Sequence, residues 1–294
     1  MKKLIGYLRL MRPANIVTAV SDILAGAAIA GFAVVGEQPS SSQYLYWLVL
    51  STVGLYGGGV VFNDVFDAAL DRVERPERPI PSGLISGTEA ALLGSILLLA
   101  GIAAAFMFSP LSGAIAMAIA VAALVYDKWG KHHSFLGPVN MGLCRGLDLL
   151  LGMSLVPEVI AQFGFLAVAP ILYIAAITMI SRGEVHGGKS NTMLAAGGLY
   201  GVVILAIVTW SIANHAYYAL VFLVLLIILI FPPLVRAYRA PIGPNIGKAV
   251  KAGVLALIIM NAAWAAATGA ILLAIIIALL LPVSIAMAKL FAVT

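Results

Sequence analysis

Residues 63–82 read NDVFDAALDRVERPERPIPS. Four acids, Asp64, Asp67, Asp71 and Glu74, precede the first proline, and Arg72, Arg75 and Arg78 gather around two Arg-Pro steps. The surroundings are of another kind: 63% of the 294 residues are apolar, 10% are charged, and the mean hydropathy is +1.09. Unbroken apolar runs of about 20 residues recur, each long enough to cross a hydrocarbon core of ~30 Å. Their continuity argues for helices and against the alternating pattern of a barrel. The 29 glycines suit helices that pack closely in lipid. The whole chain, 1–294, is therefore read as one all-α, polytopic membrane bundle.

Spans are expected at 14–36, 44–62, 89–108, 111–126, 138–157, 164–181, 192–213, 216–235 and 247–267, with 270–291 as a tenth if 247–291 folds as a hairpin. Of the 17 Lys and Arg residues, all but Arg145, inside a span, and Lys289, which joins them if 247–291 is a hairpin, fall beside alternate loops: before the first span, then after the second, fourth, sixth and eighth. This bias places the N-terminus and every long loop in the cytoplasm. The net charge of +5 is thus a topology signal, and no nucleic-acid partner is expected. The basic N-terminal segment reads as an interfacial lead-in rather than a removed signal. Cys144, the one cysteine, allows no intrachain disulfide and reads as packing.

Asp64, Asp67 and Asp71 stand at i, i+3 and i+7, so on a helix they share one face. Three carboxylates so placed repel one another unless a cation lies between them. Oxygen ligands of this kind suit Mg²⁺ bound together with substrate phosphates, and Asn63 adds a neutral oxygen. The Arg-Pro steps and Pro81 are expected to hold the next segment extended and stiff, presenting arginines to phosphate oxygens. At the mouth of a lipid-embedded bundle, the matching ligand is a diphosphate carrying a hydrocarbon tail.

NDxxDxxxD followed by RPxRPxPSG is similar to the first aspartate-rich motif of the UbiA superfamily of intramembrane prenyltransferases. Arg12-Pro13-Ala14-Asn15 resembles that family's entry into its first span. YDKWGKHHSFLGPVNMGLCRGLDLLLGMS resembles the EboC-like branch. The resemblance implies a bundle of nine or ten helices around a central cavity open sideways to lipid. It implies transfer of a prenyl group from its diphosphate to a small-molecule acceptor, aromatic or polyol-like, with Mg²⁺ as cofactor. Asn63, Asp64, Asp67 and Asp71 would form the first metal site, with Arg72 and Arg78 near the phosphates and Asn15 among the substrate-binding residues. Tyr126 and Lys131 stand where the family has a Tyr-x-x-x-Lys pair, one residue further apart, so either Lys128 or Lys131 can be the phosphate-binding lysine.

The family's second acidic motif is thin here. In TMISRGEVHGGKS, Ser181 and Gly183 occupy places of carboxylates and Glu184 alone remains as a metal ligand. His186 can supply a nitrogen or a proton transfer, and Arg182 and Lys189 can hold phosphate directly. Within the fifth span, Arg145 and Asp148 at i and i+3 can pair on one helix face. Ionisable groups at that depth face a cavity or a partner, so both are expected at the cavity's polar end, in contact with substrate. Asp22 and Asn261 follow the same logic. The thinned motif leaves a second reading, a diphosphate-binding carrier without turnover; a transporter built on Arg145, Asp148 and Asp22 finds no broken-helix repeat to support it.

Overall fold

The computed structural model describes residues 2–32 and 39–291; positions 33–36, the expected end of the first span, lie outside them. All regular structure among the described residues is helical. An amphipathic α1 (Lys2–Met11) leads into α2 (Pro13–Ile29), followed by α3 (Pro39–Glu74), α4 (Gly87–Phe108), α5 (Pro110–Lys128), α6 (Leu136–Met153), the short α7 (Pro157–Phe163), α8 (Val168–Ser181), α9 (Ser190–Ala213), α10 (Ala219–Arg239), α11 (Gly243–Ala267) and α12 (Ile271–Phe291). Eight stretches are long and apolar enough to cross a membrane, α7 and α8 counting as one. Two further helices, the 17-residue α2 and the 18-residue α6, which carries Arg145 and Asp148, bring the count to ten. Gly269, in a left-handed conformation with φ of 86°, turns α11 into α12, and Ser284 of α12 donates to the Ala14 carbonyl of α2. The last two helices therefore form the hairpin required for a tenth span.

The acidic stretch does not follow the end of a span; it is the end of one. Helix α3 runs for 36 residues, about 54 Å at 1.5 Å per residue, and its surplus length carries the aspartates beyond the apolar core. Residues 75–86, expected to be extended, instead fold into successive turns. Arg78 N donates to Arg75 O, Ser82 N to Arg78 O and Ile85 N to Pro79 O. Proline's fixed φ suits the early position of such turns as well as it suits an extended chain, and here the turns swing Arg78 back onto α3. Ser86 then caps α4 in a reciprocal capping box with Glu89, whose carboxylate also accepts from Lys3 of α1 at 2.9 Å.

Glycines set the close helix approaches. A Cβ on Gly54 of α3 would stand 2.6 Å from the Leu97 carbonyl of α4, and one on Gly101 would stand 2.8 Å from the Ser51 carbonyl. On α2 and α6, Gly26 and Gly152 face each other's backbone in the same way. Lipid offers no hydrophobic drive between apolar helices, so this backbone proximity supplies the dispersion contacts that hold them. Gly54→Val is expected to cost about 1–3 kcal/mol by overpacking, whereas Gly198→Ala on α9, where a Cβ meets open space, is expected to be neutral or slightly stabilising. Thermal unfolding of the detergent-solubilised protein, followed by loss of the monodisperse gel-filtration peak, distinguishes the two.

Candidate active site

The loops that the sequence marks as polar meet at one end of the bundle. Arg12 of the α1–α2 joint reaches Asp64, Lys131 of the α5–α6 connection reaches Asp67, and Arg182 at the end of α8 donates to the Lys131 and His133 carbonyls. Next to them, Gly188 N donates to Pro241 O between the α8–α9 and α10–α11 connections.

Each aspartate of the triad meets a protein cation. Asp64 accepts from Arg12 at 2.5 Å and from Arg78 at 3.2 Å; Asp71 accepts from Arg78 at 2.8 Å; Asp67 is bonded to Lys131. The cations demanded by three carboxylates on one helix face are thus Arg12, Arg78 and Lys131. Arg12 takes a left-handed backbone conformation, φ 50°, immediately before Pro13. Non-glycine residues adopt this region at a cost, and the cost here aims the guanidinium at Asp64. Among the described residues, no three His, Cys, Asp or Glu side chains converge into a metal cage of their own. The donors are all oxygens, which suits a hard divalent ion that takes its other ligands from water and phosphate, and the ion would displace Arg12, Arg78 and Lys131 from the carboxylates they now hold.

Next to this ring of charge lies a cavity enclosing ≈ 1130 Å³ of non-protein space, its open mouth included; of the ring residues only Arg12 lines it. Arg12, Asn15, Asn63, Tyr126 and Asp127 line its polar entrance; Leu55, Ile119, Ile174, Ile177, Val254 and Leu257 line its apolar wall; Arg145, Asp148 and Thr52 also line it. Asn63 donates to Asp127 at 2.9 Å. Cys144, expected as packing, lines the cavity too.

Several expected residues stand elsewhere. Arg72 is exposed and makes no ion pair among the described residues, because one step along the helix turns it about 100° away from Asp71. Lys128 is exposed and lies over the Trp129 ring at 4.6 Å, which leaves Lys131 as the lysine of the mouth. Arg145 does not pair with Asp148, one turn below it on the same helix. The close α2–α6 contact brings Asp22 across to Arg145 at 2.9 Å, and Thr18 accepts from the same guanidinium at 2.5 Å; Asp148 accepts from Thr52 at 2.8 Å. Asp22 and Asn261 are fully buried and bonded to each other at 2.6 Å, outside the cavity lining.

The residues of the second motif do not line the cavity. Arg182 and Lys189 border a separate pocket with Gly183, Gly187 and Gly188, and the exposed His186 borders a more open one beside Pro241 and Gly243. Glu184 lies close to Gly247 in the first turns of α11. Burial pushes its carboxyl above the usual carboxylate range, and Arg75, which also lies 4.0 Å from Asp71, partly offsets that. Asp127 is the site residue that sequence reasoning passed over. It sits inside YDKWGK beside Tyr126, and only the packing of α5 on α3 sets it against Asn63.

The mouth makes a clear prediction for stability. Arg78→Ala leaves Asp71 and Asp64, both nearly buried, short of a partner and is expected to cost about 3 kcal/mol. Arg72→Ala is expected to stay within about 0.5 kcal/mol of the parent. Parallel thermal melts of the two variants test the assignment.

Residues 24–241 match the UbiA prenyltransferase family model. The chain is 31% identical over 198 residues to a digeranylgeranylglyceryl phosphate synthase of Ignicoccus hospitalis, covering 67% of this chain and 63% of that protein, just under two thirds of its length. It is 28% identical over 247 residues to the protein of the same name from Methanosphaera stadtmanae, covering 80% and 86%. Its fold matches a UbiA homologue from Archaeoglobus fulgidus bound to GPP and Mg²⁺ with a TM-score of 0.57, at 15% identity and over 90% and 99% of the two chains. With a helical bundle, a charged mouth and a family match across most of its length, the chain belongs to the UbiA prenyltransferase family.

Proposed function

We propose that this chain transfers a prenyl group from a prenyl diphosphate to an acceptor inside the cavity, with Mg²⁺ bound at the mouth. The observation that carries this reading is the junction of two environments. A cluster of cations and carboxylates built from Arg12, Asp64, Asp67, Asp71, Arg78 and Lys131 adjoins, through Arg12 and through Asn63 next to Asp64, a cavity with an apolar wall. A diphosphate head with a hydrocarbon tail is the ligand complementary to both.

The reaction breaks the bond between the allylic carbon and the diphosphate oxygen, and the electron pair leaves with the diphosphate. The acceptor's nucleophile then forms the new bond to that carbon and gives up its proton, for which the departing diphosphate is the available base. Arg12, Arg78 and Lys131 exchange carboxylate oxygens for phosphate oxygens as the donor arrives, so that charge is already in place where it develops. Asn63 and Tyr126 border the same entrance and orient the head. Leu55, Ile119, Ile174 and Ile177 hold the chain and keep water from the electron-poor carbon. Asp64, Asp67 and Asp71 would hold Mg²⁺, with Glu184 as the remaining acid of the second motif; the ion, when bound, supplies further positive charge to the leaving group. The relatives named digeranylgeranylglyceryl phosphate synthase and the Mg²⁺- and GPP-bound homologue support this assignment. The basic bias of the loops supports a cytoplasmic mouth in a multi-pass protein of the bilayer.

The test is release of diphosphate from radiolabelled geranyl or geranylgeranyl diphosphate by the purified protein with Mg²⁺ and a panel of alcohol and aromatic acceptors. Asp64→Ala and Asp67→Ala are each expected to lower turnover by about 100-fold or more, and EDTA to abolish it. Mg²⁺-dependent binding without diphosphate release for any acceptor would instead identify a carrier.

A further inference from the structure

The cavity meets a second polar surface that the mouth does not account for. Arg145 and Asp148, each 4% exposed, line it together with Thr52 and Tyr56. Thr52 occupies one Asp148 oxygen at 2.8 Å, and the other, Oδ1, has no partner among the described residues. The Arg145 guanidinium donates through Nη2 to Thr18 and stands over the Tyr56 ring at 5.2 Å; its Nη1 lies 2.9 Å from Asp22 but lacks an in-line acceptor. A buried acceptor without a partner, Asp148 Oδ1, thus lies one turn along α6 from a guanidinium that is ion-paired to Asp22 yet has no in-line acceptor on Nη1.

We propose that this floor is a recognition subsite for an uncharged hydroxyl group of the acceptor. The inference rests on the prenyl-transfer reading and narrows its substrate class. A hydroxyl accepts one hydrogen bond and donates another, so a single group can satisfy Arg145 and Asp148 together. A diphosphate only accepts, and it would meet two carboxylates, Asp22 and Asp148, set against one guanidinium. A prenyl tail donates nothing and would leave Asp148 Oδ1 desolvated and unpaired. Depth separates the two polar surfaces: Thr52 and Asn63 are eleven residues apart on α3, about 16 Å along the helix axis. That separation leaves the head group and the floor ligand different parts of the cavity. The floor anchors the acceptor, and the transferring carbon stays with the mouth.

Cys144, next to Arg145 in the cavity lining and alone in the chain, reports occupancy independently of turnover. The full chain in lipid nanodiscs is treated with methyl methanethiosulfonate, and Cys144 modification is timed by mass spectrometry. The probes are 3-octyloxy-1,2-propanediol, octyl methyl ether, and geranyl diphosphate with Mg²⁺. The diol is expected to protect at a concentration about tenfold lower than the ether, the effect of about one buried hydrogen bond. In Asp148→Leu the preference is expected to fall to about twofold or less, while geranyl diphosphate still protects. In Thr52→Val, which leaves both Asp148 oxygens without a protein donor, it is expected to rise above about tenfold. Equal protection by diol and ether in the parent, an unchanged preference in Asp148→Leu, or one in Thr52→Val that does not rise, overturns the proposal. Should Asp148→Leu fail to fold, the near-isosteric Thr52→Val decides. Protection by the diol without any by geranyl diphosphate supports the floor and counts against the donor reading instead.

Discussion

Asp64 lies between two guanidinium groups, Arg12 at 2.5 Å and Arg78 at 3.2 Å, and the architecture of the mouth depends on that pairing. One arginine comes from the joint before α2, the other from the proline-rich turns after α3. A carboxylate this buried is costly unless paired, and breaking such a pair costs more than the pair contributes. The interaction therefore pins the start of α2, the end of α3 and the 75–86 turns to one another. Lys131 adds the α5–α6 connection through Asp67, and Arg182 adds the end of α8 by bonding the carbonyls on either side of His132. The result is a ring of charge that adjoins, at Arg12, a cavity with an apolar wall, an arrangement complementary to an amphiphile with a strongly anionic head.

The buried polar residues below the mouth follow the same rule by other means. Asp22 is held by Arg145 and Asn261, Asn261 also donates to Ser21, and Asp148 is held by Thr52. These bonds join α2, α3, α6 and α11 around the cavity. They need close backbones, which Gly26 and Gly152 allow between α2 and α6. Small residues at the crossings and polar residues at the centre are thus two halves of one arrangement in lipid.

What the sequence reveals and what it hides divide along the range of the interactions. The shared face of Asp64, Asp67 and Asp71 is a property of one helix and is legible from spacing. So are the apolar runs, the alternation of basic loops and the hairpin that returns Lys289 to the polar end. The partners are another matter. Arg12 and Asp64 are 52 residues apart, and Asn63 and Asp127 are 64 apart; no local pattern announces either. The i, i+3 spacing of Arg145 and Asp148 suggests a pair that helix packing overrules, because Asp22, 123 positions away, offers the guanidinium a better-placed oxygen. The Arg-Pro steps mislead for a related reason. Proline restricts φ but leaves the choice between extended chain and turn to longer-range forces, and here the pull of Asp64 and Asp71 on Arg78 goes with the turn.

Diphosphate binding at the ring around Asp64 is open to direct observation in an experimental structure with Mg²⁺ and geranyl thiolodiphosphate, which resists ionisation at the allylic carbon. Phosphate oxygens are expected within hydrogen-bond distance of Arg12, Arg78 and Lys131, with the geranyl chain against Leu55, Ile174 and Ile177. A diphosphate seated instead between Arg182 and Lys189, with the ion pairs around Asp64 intact, would contradict it.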